Sequence, residues 1–191
     1  MSFIPTRDAA WQLLNEYTKS ESLLKHAMAV EAAVRGYART FGGDEEGWGI
    51  VALLHDFDYE RWPSLDDHPF RGSEILRERD YPEWMIRAIL SHADSSGVPR
   101  DGILEKTLFA CDEMVGFVIA ASLVRPSKSV LDLEPKSVVK RMKDKAFARG
   151  VEREDLVAGA ELLGLPLEEH IGHVIRFLRE RADALGLRGT L

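Results

Sequence analysis

Three observations predict an all-α fold. Apolar residues recur at three- and four-residue steps through most of the chain, no segment alternates apolar and polar residues as a strand would, and capping or breaking residues stand at the ends of the periodic runs. Thr6 or Asp8 opens a first helix that runs to Tyr17, and Ser20 caps a second that reaches about Thr40, where Gly42 and Gly43 stop it. A third helix covers about 45–56. The stretch from Asp58 to Asp67, with Pro63 and two adjacent acids at its end, reads as a loop; Pro69 then starts a helix in its first turn with His68 at the cap. Helices follow at about 69–79, 82–92 and 102–124.

Beyond Pro126 the composition turns basic, with Lys136, Lys140, Arg141, Lys143, Lys145, Arg149 and Arg153. The interspersed Val138, Val139, Met142 and Phe147 suggest an amphipathic helix there, and further amphipathic helices are expected at about 152–163 and 166–185. The expected organisation is a helical domain over 1–125 and a C-terminal helical subdomain over 126–191, packed on the core.

Composition excludes several function classes. A formal charge of −7 and a pI near 5.4 lack the basic excess of a general nucleic-acid binder, while free nucleotides and small phosphate esters stay open. One aromatic, Phe147, within the basic run is not a base-stacking platform. The single cysteine, Cys111, rules out an internal disulfide and a thiolate zinc cage, and suits a reducing compartment. The N-terminal MSFIPTRDAAWQLL has no basic segment leading into a long apolar core, and the most apolar stretch, near 107–124, carries Asp112 and Glu113. A cytoplasmic protein without membrane spans is expected.

The chemistry is concentrated in polar residues that intrude on apolar faces. Asp112 interrupts the stripe Leu108, Val115, Ile119; His26 stands beside Leu23, Ala27, Val30 and Val34; and the His55–Asp56 pair closes the run Ile50 to Leu54. His92 lies three and seven residues after Ile89 and Met85, on the buried face of its helix. A bare buried carboxylate costs several kcal/mol, so such groups must be paired or bound to metal. Imidazole and carboxylate donors without thiolate favour Mn, Fe, Co or Ni, with Zn or Mg less favoured. If Asp56 bridges, one ion takes His26, His55 and Asp112 and the other His68 and His92. Two ions about 3.5–4 Å apart can hold a bridging hydroxide and stabilise the oxygens of an in-line phosphoryl displacement.

The ordered set and its local context, LLKHAMAVE, ALLHDFDYE, DDHPFRGSEIL, AILSHAD and FACDEMVGF, resemble the HD-domain metal-dependent phosphohydrolases over about residues 20–124. The likeness is greatest to the HDIG-like branch, which adds two histidines between the doublet and the last aspartate. The resemblance implies an HD-domain helical bundle with a C-terminal extension. It implies one metal on His26, His55, Asp56 and Asp112, and a second completed by His68 and His92. Asp56, His68 and His92 are the implied catalytic residues: Asp56 positions the ions, and a histidine not fully engaged in coordination protonates the leaving group.

The chain departs from many HDIG proteins after the doublet. His55 and Asp56 are followed by Phe57, Asp58, Tyr59 and Glu60 in place of a glycine-lysine pair, and no GYP triplet occurs, which counts against cyclic dinucleotides. Phosphate recognition is then sought at Arg71, one turn after His68, and at Lys136 and Lys140, each of which also reads as a solvated surface charge. The expected function is hydrolysis of a nucleotide or dinucleoside polyphosphate by a metal-bound hydroxide. Two alternatives use the same residues: a di-iron oxygenase, similar to HD-type proteins that cleave carbon bonds, and a non-catalytic metal- and nucleotide-binding module.

Three features are weighed as structural. His170 and His173 have metal-motif spacing but, beside Glu168 and Glu169, read as a partly exposed polar face. Cys111 reads as a buried small apolar residue. Trp11, Trp48, Trp62 and Trp84 would support a homodimer if exposed and the core if not.

Overall fold

The computed structural model describes residues 5–191, and the N-terminal reading above rests partly on residues 1–4, which lie outside them. Among the described residues there are ten α-helices, one short 3-10 turn and no strand: α1 (Arg7–Tyr17), α2 (Glu21–Phe41), α3 (Glu45–Leu54), α4 (Phe70–Glu78), α5 (Glu83–His92), α6 (Ile103–Leu123), α7 (Pro135–Met142), α8 (Arg153–Leu162), α9 (Leu167–Arg179) and α10 (Ala182–Leu185). The all-α expectation holds. Among the described residues no helix is long and apolar enough to cross a membrane. The chain divides into two compact units, one ending at Phe109 and one over Ala110–Leu191, with α6 running through the boundary.

In the first unit, α1 begins where the Thr6 hydroxyl accepts the Ala9 amide at 3.2 Å. α2 turns a face of Ala27, Val30, Val34 and Ala38 inward and packs on α3, which also carries α1 and α5. Gly42, left-handed at φ 70°, ends α2 as the glycine pair predicts. An ionic chain fastens these helices: buried Glu31 accepts from Arg7 at 2.7 and 2.8 Å and from Arg35 at 2.9 Å, and Arg35 continues to Glu46 at 2.7 and 3.0 Å. α3 is buried from Gly47 to Leu54, so its apolar run delivers His55 into the core.

Several local expectations are corrected. Ser20 occupies the N-cap position of α2 without capping it; its hydroxyl pairs with Ser22, and its amide is accepted by Glu60 at 3.0 Å. Pro69, joined to His68 by a cis bond, is itself the N-cap of α4, so His68 does not cap and its ring turns elsewhere. Trp48 is buried, leaving Trp84 as the tryptophan with substantial exposure.

In the second unit, α9 buries Ile171, Val174, Ile175, Phe177 and Leu178, and α7, α8 and α10 pack on it. α8 approaches the early second-unit part of α6 so closely that a Cβ on Gly159 would fall 2.7 Å from the Ala110 Cα. The basic helix stops at Met142, and Phe147 reaches the edge of the Phe117 ring from a turn, with centroids 5.3 Å apart. The expected helix over 166–185 breaks at Glu180 and Arg181 into α9 and α10. His170 is fully buried, contrary to the polar-face reading, because it lies one, four, seven and eight residues before Ile171, Val174, Phe177 and Leu178 on the inner face of α9. Its Nε2–H donates to the Ala110 carbonyl at 2.8 Å, and burial lowers its pKa to about 4. Cys111 is buried as expected, and burial pushes its thiol well up.

Candidate metal centre

His55 follows the last residue of α3, His92 is the last residue of α5, and His68 is held in the turns ahead of α4. These elements point three imidazoles at one carboxylate. Asp56 Oδ1 lies 3.2 Å from Nε2 of both His68 and His92, and Oδ2 lies 3.4 Å from Nε2 of His55. His26, half-buried on α2, has its ring 5.4 Å from that of His55, and its donor nitrogen lies within 4.8 Å of donor atoms of His55 and Asp56. Asp112 stands on α6, half-buried, three residues after Phe109 and so in the second unit.

The imidazole orientations have a common cause. His55 Nδ1–H donates to the Ala52 carbonyl at 2.7 Å, and His92 Nδ1–H to the Ile89 carbonyl at 2.5 Å. A carbonyl only accepts, so both rings carry the Nδ1 proton and present Nε2 as the donor atom. His68 Nδ1–H is taken by Asp58 at 2.8 Å, with the same result. Arg100 secures the end of α5 by donating to the carbonyls of Ser91 at 2.8 Å and His92 at 3.1 Å, with its guanidinium 3.7 Å above the Phe109 ring. The segment after the doublet is tied to the start of α2: Thr18 donates to the Phe57 carbonyl at 2.9 Å, and Glu60 accepts the Lys19 amide at 2.7 Å.

Electrostatics match this clustering. Burial alone would raise the Asp56 carboxyl, but His55, His68 and His92 outweigh it and hold the group well below the usual carboxylate range. Burial alone would lower His68, but hydrogen bonds to Asp56 and Asp58 raise it to about 9. The donor set fits divalent cations. The Nε2 atoms of His68 and His92 are 3.2 Å apart, and two nitrogens each about 2.1 Å from one ion would at that spacing subtend roughly 100°.

The remaining candidates are placed elsewhere. Arg71 is exposed, its guanidinium spanned by Asp67 at 3.2 Å and Glu74 at 3.4 Å. Lys136 and Lys140 are exposed on α7, and Lys140 lines a cleft of about 440 Å³ with Ser137, Arg141 and Asp144. Sequence reasoning missed Asp58. It lies in the segment read as loop, yet it is buried and contacts the centre directly. Its place two residues after Asp56, just past the apolar run Ile50 to Leu54, is the one trace of it in the sequence, and that trace does not tell Asp58 from the nearby Glu60.

The model of the HD domain family matches residues 23–146 of this chain. No solved structure matches it.

Proposed function

Since this chain belongs to the HD domain family, we propose that it is a metal-dependent phosphohydrolase of the HDIG-like kind, acting on a small phosphate ester. The substrate is a nucleotide or dinucleoside polyphosphate in preference to a cyclic dinucleotide. The observation that carries this reading is the division of Asp56, one oxygen toward His55 and the other toward His68 and His92. A carboxylate so divided is disposed to bridge two ions. In the assignment proposed, His26, His55, Asp56 and Asp112 would hold one divalent cation, and Asp56, His68 and His92 another. Mn, Fe, Co or Ni are favoured over Zn or Mg. Bound there, the cations would lower the pKa of water and neutralise charge on the phosphoryl oxygens.

The chain's own residues have separate tasks. Asp56 keeps the donor atoms converged. A histidine of the pair His68 and His92 that is not engaged in coordination would, once protonated at Nε2, be the group to pass a proton to the leaving oxygen. Phosphate charge is met by the cations in preference to Arg71, whose guanidinium Asp67 and Glu74 already engage. Lys136 and Lys140 are kept as accessory attractors of an anionic substrate. The acidic balance supports a small anionic partner over nucleic acid. A homodimer contact would be sought at exposed Trp84, and the lone buried Cys111 supports a reducing, cytoplasmic setting.

The test is phosphate release from a panel of nucleotides and dinucleoside polyphosphates in Mn²⁺, comparing wild type with Asp56→Ala at matched metal loading. Release that the substitution abolishes is the expected result. Iron-dependent oxygen uptake with no phosphate release would replace the hydrolase by the oxygenase reading, and tight nucleotide binding with no product would replace it by a binding module.

A further inference from the structure

We propose that Asp58 is a positioning residue of this centre, holding the His68 ring so that Nε2, and not Nδ1, faces Asp56 and His92. The inference rests on the ligand assignment above and concerns how one ligand is set.

A helix can supply the acceptor for a ligand histidine from its own backbone. His55 and His92 each find an Nδ1 acceptor three residues earlier in their own helix, at the carbonyls of Ala52 and Ile89. His68 lies in turns before α4, where its backbone amide bonds the Ser64 carbonyl at 2.8 Å, and its Nδ1 bonds no carbonyl of its own segment but a carboxylate. A side chain from another segment takes that role. Asp58 Oδ1 accepts the Nδ1–H of His68 at 2.8 Å, and its Oδ2 accepts the Gly72 amide at 2.6 Å. Asp58 is 1 % exposed, and a carboxylate at that depth is costly unless both oxygens are satisfied. The bond to His68 is charge-assisted, stronger than the carbonyl bonds of the other two rings, and makes Nε2 a better donor to a cation.

Gly72 provides an independent observation. A Cβ there would stand 2.8 Å from Asp58 Cγ and 2.9 Å from Oδ2, so only a residue without a side chain admits the carboxylate to the amide. Glycine inside a helix is less favourable than alanine, and α4 carries that cost at the point where Asp58 enters.

The experiment titrates Mn²⁺ into chelator-stripped wild type, Asp58→Asn and Gly72→Ala by calorimetry, with the metal-free melting temperature of each recorded. Wild type is expected to bind two ions. Asp58→Asn is expected to weaken one binding event about 10- to 100-fold while the other stays within about twofold. Gly72→Ala, which keeps the carboxylate but displaces it, is expected to weaken the same event. If Asp58→Asn lowers only the melting temperature and leaves both affinities unchanged, Asp58 is a structural acid and the proposal is overturned.

A second readout needs no variant to fold. In zinc-loaded wild type, nitrogen-15 NMR is expected to show His68 protonated at Nδ1 and metal-bound at Nε2; the reverse pattern, or a His68 that never meets the metal, overturns the proposal. Failure of the hydrolase reading would show separately, as intact metal binding without phosphate release.

Discussion

Lowering the pH from 7.5 to 5 should destabilise the second unit through His170. The ring is buried, donates from Nε2 to the Ala110 carbonyl, and has its pKa lowered by burial to about 4, against 6.5 for an ordinary histidine. Below 6.5 the unfolded chain takes up a proton that the folded chain refuses until about 4. The stabilising contribution is therefore complete above 6.5 and is lost as the pH falls toward 4. At about 1.4 kcal/mol per pH unit the full loss is roughly 3 kcal/mol, of which about 2 kcal/mol is gone at pH 5.

His170→Gln isolates this effect, because a carboxamide N–H can still donate to Ala110 but does not titrate. All four tryptophans precede Phe109 and report on the first unit, so the assay is amide hydrogen exchange along α9, corrected for intrinsic exchange at each pH. The protection of wild type should drop about 2 kcal/mol further than that of the variant between pH 7.5 and pH 5. Equal drops would refute the burial argument.

Three further substitutions test other parts of the account. Gly159→Ala should destabilise by about 1–3 kcal/mol in a thermal melt despite its better helix propensity, because the added methyl meets the Ala110 backbone; a higher melting temperature would show that α8 can move away. Glu31→Ala removes the buried acid between Arg7 and Arg35, and urea denaturation should register a loss of about 3 kcal/mol, against a loss below about 1 kcal/mol if the network is merely a surface chain. Arg71→Ala should leave kcat/KM within about twofold, since its guanidinium is exposed and engaged by acids; a drop of tenfold or more would return Arg71 to the phosphate site.

What the sequence revealed, and what it concealed, follow from one distinction. Helices were legible because their burial leaves a 3.6-residue pattern, and the ligand candidates on them because a charge in an apolar stripe breaks that pattern: His26 in α2, His55 at the close of α3, His92 in α5. His68 was legible only from its place in the ordered set of histidines and aspartates and from the resemblance, since turns carry no period. Asp58 was missed for the same reason, as nothing in a loop reveals which acid folds inward. His170 is a different case: its spacing to Val174 and Phe177 was readable, but neighbouring Glu168 and Glu169 outweighed it in the reading. Phe147 reads as part of the same amphipathic helix as Val138 and Met142, yet α7 ends first and a turn carries the ring to Phe117.

The central claim is that Asp56 gathers two cations between its oxygens. Anomalous diffraction at the manganese edge from Mn²⁺-loaded crystals tests it most directly. Two peaks about 3.5–4 Å apart, one beside each Asp56 oxygen, are predicted, with His55 at the first and His68 and His92 at the second. Peaks that avoid Asp56 altogether, or a single peak on a terminal Asp56 oxygen at full loading, would contradict it.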